Sequence, residues 1–185
     1  MAGRRRVLGV ANGRTDAGIV IVGLAPGRLG AERTGVPFSG DRSGAMLDSL
    51  LARVHLTRRD VFITNAVLCN PQDAAGRNAP PAAAELRRCR DHLAATIAAV
   101  DPSLIIALGH TAFAAVLATA PAPLSFDDCR GAPQPWSGRL LAATYHPAPR
   151  VVNQPARRHT LLAQWEALTP YIARTATRTR RGGRR

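Results

Sequence analysis

"GIVIVGLAPGRLGAERTGVPFSGDRSG", residues 18 to 44, joins two very different kinds of sequence. Residues 18–25 are apolar and rich in β-branched side chains, the signature of a short buried strand. From Gly23 to Gly44 the chain then carries six glycines, two prolines and two acidic residues, so it leaves the strand as a loop. In an open α/β sheet, a loop at the carboxyl end of a strand is where ligands bind.

The rest of the chain alternates between the two regular periods. "SGAMLDSLLARV" (43–54) places Met46, Leu47, Leu50, Leu51 and Val54 at helical spacing, with Ser43 as the expected N-cap. "VFITNAVL" (61–68), "SLIIALG" (103–109) and "RLLAATYHP" (139–147) read as strands. "NPQDAAGRNAPP" (70–81) reads as a loop. Helices are expected from Pro81 to about Val100, from the end of the third strand to about Ala118, and from Arg157 to Ala173. This alternation predicts an α/β fold, a three-layer α/β/α sandwich around a central, mainly parallel four-stranded sheet. The expected organisation is a basic N-terminal segment (1–17), one domain (18–173) and a disordered, arginine-rich tail (174–185).

The chain has 185 residues and a formal charge of +13, with a pI near 11.6. Such a balance points to a polyanionic partner, nucleic acid before an anionic membrane surface. All of the basic side chains are arginine, so the N-terminal amine is the only group able to form a Schiff base. Cys69, Cys89 and Cys129 occur without a secretory signal or a membrane-length apolar run. A reduced, cytoplasmic setting, no membrane partner and a monomer are the expectation.

Polar signatures converge on one edge of this sheet. The first strand empties into the glycine loop, the second ends at Thr64-Asn65, and the fourth ends at Tyr145-His146-Pro147. With the intervening residues, "GLAPGxxGxxRTGxPFxGDxSG" (23–44), "ITNAVxCxP" (63–71) and the later "HP" resemble the uracil-DNA glycosylase superfamily. The likeness is strongest to its iron–sulfur families 4 and 5, and "RTG" followed by "GDRSG" leans toward family 5.

That resemblance implies an enzyme that extrudes a uracil from DNA and hydrolyses its N-glycosidic bond, beginning base-excision repair. Uracil or other deaminated bases in DNA are the implied substrates. Phe38 matches the residue that stacks on the base, and the backbone of Ala25, Pro26 and Gly27 would line the pocket. Asn65 would pair with N3–H and O4 of uracil. His146 would donate to O2 as negative charge develops, and Asp41 would orient water or face the cationic sugar. For Asp41 an N-cap contact is the competing structural role. DNA contacts are implied at Arg33 and Ser43. Where "HPAPR" (146–150) departs from the family's "HPS", Arg150 and Asn153 are the candidates to replace the serine.

No cofactor is needed for this chemistry, although a [4Fe–4S] cluster is typical of families 4 and 5. Cys69 and Cys89 match two of its ligands as a remnant pair, but an N-terminal "CxxC" is not found in "MAGRRRVLGVANG". With four thiolates required, an incomplete cluster is expected. Two other readings stand beside the glycosylase. One is a non-catalytic binder of damaged DNA with the same pocket; the other, a phosphate-binding enzyme, lacks a P-loop lysine.

Overall fold

The computed structural model describes residues 3–182, with side chains to residue 175. Its strands are β1 (Ile19–Gly23), β2 (Phe62–Asn65), β3 (Leu104–Leu108), β4 (Gln134–Trp136) and β5 (Arg139–Thr144). They form one sheet in the order β2-β1-β3-β5-β4. All neighbours are parallel except β4, which runs antiparallel to β5.

The sheet thus has five strands rather than the expected four. The extra strand, β4, is a three-residue edge piece joined to β5 by Ser137 and Gly138, with φ of 47° and 75°. Two left-handed residues make the tight turn whose twist suits a hairpin. Pro135 sits in β4, where an edge strand tolerates a missing N–H. Three residues with a central proline show no strand period, which is why the pattern misses them.

Alternating residues on each strand cover opposite faces. Ile19, Ile21, Leu104 and Ile106 pack with Leu47, Leu50, Leu51, Leu161, Trp165 and Leu168 from α1 (Arg42–Arg53) and α6 (Pro155–Gly182). Val20, Val22, Ile105 and Leu141 pack on the other face with Leu93, Ile97, Phe113 and Val116. Those come from α2 (Ala83–Val100) and α3 (His110–Leu117). This is the three-layer sandwich, with every β1 and β3 residue buried because both faces are covered.

The helices differ from expectation at two boundaries and by two additional elements. Asp41, not Ser43, is the N-cap of α1, and its side chain accepts from Gly44 N. Two further one-turn helices, α4 (Phe126–Cys129) and α5 (Pro149–Val152), fall in stretches read as connections. The last helix continues past Ala173, and Thr175 is buried on its inner side. Ala, Arg and Thr extend a helix that packing has already nucleated. The final residues of the expected tail, 183–185, lie outside the described residues. At the other end, Val7 is buried and its N–H donates to Leu68 O, so the basic N-terminal segment lies against the domain.

Candidate active site

Strand register brings the functional groups together. Gly23 of β1 pairs with Asn65 of β2, and Leu108 of β3 pairs with Thr144 of β5. The carboxyl ends of all four parallel strands therefore align, and Tyr145-His146 leaves the sheet beside the glycine loop. A pocket of about 190 Å³ opens there between Ala25–Gly27, Phe38, Asp41, Asn65 and His146. It falls below the range of roughly 300–1,000 Å³ typical for drug-sized ligands and suits one small heterocycle.

Asn65 forms the floor. It is 2% exposed, and neither Oδ1 nor Nδ2 has a hydrogen-bond partner among the described residues. A buried amide left unpaired costs about 1–3 kcal/mol, and this one lines the pocket, where a bound molecule could satisfy it. Gly23 makes this arrangement possible. A Cβ there would lie 2.5 Å from both Asn65 Oδ1 and the Phe38 ring. The ring of Phe38 forms one wall, buried and 5.7 Å centroid to centroid from His146.

His146 is held neutral. Burial, then the nearby Arg150 cation, lower its pKa to about 4, with Asp41 pulling weakly the other way. A neutral imidazole keeps one N–H to donate and carries no charge of its own.

The two oxygens of Asp41 have separate surroundings. Oδ1 accepts from Gly44 N at 2.9 Å, capping α1. Oδ2 lies toward the glycines of the loop: a Cβ on Gly27 would sit 3.2 Å from it, and one on Gly30 would collide with it. Oδ1 thus takes the capping role, and Oδ2 is left uncommitted to the cap on a side chain that lines the pocket.

Ser43 also reaches the pocket. Arg150 lines a neighbouring cavity of about 430 Å³ that shares His146 and includes Arg157. Arg33 does not line the pocket; its Nε donates to Leu29 O within its own turn. Asn153 is exposed at the end of α5 and lines neither space.

Sequence reasoning missed Asn78, which borders the pocket from the 70–81 loop. Its Oδ1 accepts from Arg28 N at 3.0 Å and from Asn70 Nδ2 at 2.9 Å. Asn70 Nδ2 also donates to Pro26 O at 2.6 Å, pinning the pocket backbone. No local pattern distinguishes Asn78 from an ordinary turn asparagine, because its role comes from a contact fifty residues away in sequence.

The cysteines do not fit a four-thiolate cluster. Cys69 and Cys89 are close enough to interact, and burial followed by Cys89 raises the Cys69 pKa. Cys129 is fully buried among Phe126, Trp136 and Leu141, its thiol pushed up to about 11 by burial. Among the described residues, no group of three or more His, Cys, Asp or Glu is placed to hold a metal ion.

The fold is a mainly parallel α/β sandwich with a small pocket at the carboxyl edge of its sheet, of a size for one planar ring. The sequence profile described as "Uracil DNA glycosylase superfamily" matches residues 10–169, and the chain belongs to that superfamily. It is 36% identical over 140 residues to the type-4 uracil-DNA glycosylase of Thermotoga maritima, covering 75% of this chain and 69% of that one. It is 35% identical over 153 residues to the type-4 enzyme of Pyrobaculum aerophilum (79% and 74% covered). The type-5 uracil-DNA glycosylase of Thermus thermophilus is 35% identical over 149 residues (72% and 66% covered). Identity to the two types is nearly equal, so it does not separate family 5 from family 4.

Proposed function

We propose that this chain is a monofunctional DNA glycosylase that hydrolyses the N-glycosidic bond of uracil in DNA and so initiates base-excision repair. The observation that carries this reading is Asn65, a fully buried amide with both polar atoms free at the floor of a ring-sized pocket. Uracil extruded from the helix places its ring against Phe38 and its N3–H and O4 on Asn65. Cytosine presents the opposite polarity at those two positions. As the bond from C1′ to N1 lengthens, negative charge gathers on the base and positive charge on the sugar. Neutral His146 donates to O2 of the leaving uracil anion. Stabilisation by one such donor is worth roughly 2.7–4 kcal/mol in a measured case.

Asp41 Oδ2 orients a water toward C1′. Its oxygen bonds to the sugar, one proton passes through the carboxylate, and uracil leaves as an anion that is then protonated by solvent. Arg150 and Arg157 line the adjoining cavity and Ser43 lines the pocket, which supports roles for them on backbone phosphates. Arg33 and Asn153 are proposed as outer DNA contacts. Action as a monomer belongs to the same proposal. Free cysteines suit a reducing cytoplasm, and no helix among the described residues is long and apolar enough to cross a membrane.

The test is turnover on a panel of duplex and single-stranded DNA carrying uracil, hypoxanthine, xanthine, ethenocytosine or cytosine. Several uracils released per protein, with strands that break only after alkali, are expected. Stoichiometric binding without release would make the protein a damage binder. Nicking without alkali would contradict a mechanism that has no side-chain amine.

A further inference from the structure

Phe38 holds a backbone conformation normally left to glycine, with φ of 49°. The loop has glycine at the nearby left-handed positions, Gly35 at 76° and Gly40 at 85°, but here it has a bulky ring. A residue with a Cβ costs about 1–2 kcal/mol in that region, so surrounding structure must hold it there. A left-handed residue also turns the carbonyls on its two sides in nearly the same direction, whereas an extended residue would oppose them.

Both carbonyls meet one side chain. Arg58 stands in the Thr57–Asp60 turn between α1 and β2, which Asp60 Oδ2 closes by accepting from Thr57 N and Oγ1 at 2.8 and 2.7 Å. Its Nη1 donates to Pro37 O at 2.7 Å and its Nη2 donates to Phe38 O. Its Nε donates to Asp48 Oδ1 on α1 at 2.6 Å, which sets the plane of the guanidinium. Gly44 completes the fit, since a Cβ there would collide with Phe38 O. A planar fork that grips two parallel carbonyls matches the left-handed form of Phe38 and would lose one of its two bonds to an extended form.

We propose that Arg58 is a positioning residue: it holds the Pro37 and Phe38 carbonyls parallel and thereby fixes the Phe38 ring as a wall of the base pocket. The inference rests on reading Phe38 as the base-stacking residue. Arg58 touches no substrate; it acts through the backbone that aims the ring.

The experiment compares Arg58→Lys and Arg58→Ala with the unsubstituted protein in single-turnover excision of uracil from duplex DNA. Thermal midpoint and hydrogen exchange of residues 36–44 are measured on the same samples. Lysine keeps the charge but not the fork, so both variants should lose about 10- to 100-fold in rate. Exchange should rise within 36–44 while the strands stay protected. Millimolar ethylguanidinium should restore part of the rate to the alanine variant and none to the lysine variant. A lysine variant with full rate and unchanged exchange overturns the proposal, as does an alanine variant that no guanidinium rescues. If the unsubstituted protein releases no base, the stacking reading falls, and exchange still decides the clamp. A rise confined to 36–44 upholds it and an unchanged profile overturns it.

Discussion

Asn12 and Asn65 are both 2% exposed; Asn12 packs against β2, and Asn65 is its last residue. Asn12 closes the N-terminal turn: its Oδ1 accepts from Gly9 N at 2.9 Å and its Nδ2 donates to Ile63 O at 2.7 Å. Asn65, at the carboxyl end of the same strand, has no partner on either atom among the described residues. The first amide spends its hydrogen bonds on the fold; under the proposed function, the second keeps them for the base. Equal burial of the same residue type thus says nothing about role until the partners are counted.

The sharpest way to break this comparison is to truncate both. Asn65→Ala should lower kcat/KM on uracil DNA by about 10³-fold or more, because the base loses its paired donor and acceptor. Its thermal midpoint should stay level or rise, since an unsatisfied buried group is removed. A fall in stability with retained excision would place Asn65 with Asn12. His146→Ala should cost about 10²–10³-fold in kcat, as for loss of one oxyanion donor, with KM little changed.

Asp41 allows a finer separation. Asn caps a helix as well as Asp does, so Asp41→Asn should keep α1 and lose about 10²-fold in rate. Asp41→Ala should lose that rate and about 1 kcal/mol of stability as well. Equal rates for Asp41→Asn and the unsubstituted protein would reduce Asp41 to a cap. Asn12→Ala is the mirror case: about 1–3 kcal/mol of stability lost, with excision unchanged well below the melting temperature.

The last test varies pH. His146 titrates near 4 when folded, against 6.5 for a free imidazole. Above 6.5 both states hold it neutral. Between 6.5 and 4 the unfolded chain binds the extra proton, so this group's contribution to stability falls as pH falls through that window. Denaturant midpoints from pH 7 to 4 should show the decline and His146→Ala should lack it. Excision should hold to about pH 5, where His146 is still mostly neutral.

Much of this was legible in the residues themselves. The strands from β1 to β3, and β5, show up as apolar runs, and the glycine loop, Asn65 and His146 stand at their carboxyl ends. Strand β4 was not legible, because three residues around Pro135 carry no period. Asn78 was not either, because its place at the pocket depends on a loop folding back onto Arg28. The cap of α1 was misplaced by two residues, since Asp41 and Ser43 are equally good capping types and only geometry chooses between them.

By itself the sequence determined the layers, the edge of the sheet that holds the site, and the residue types that meet there, because these follow from hydrophobic period and from strands ending in polar motifs. Only the tertiary structure decided which polar atoms are spent and which are free. Asp41 divides its oxygens, Asn12 is satisfied and Asn65 is not, and Arg58 reaches two carbonyls some twenty residues back. The reason is physical: a hydrogen bond needs its partner within about 3 Å and in line, and such placement between distant segments exists only once the chain has packed.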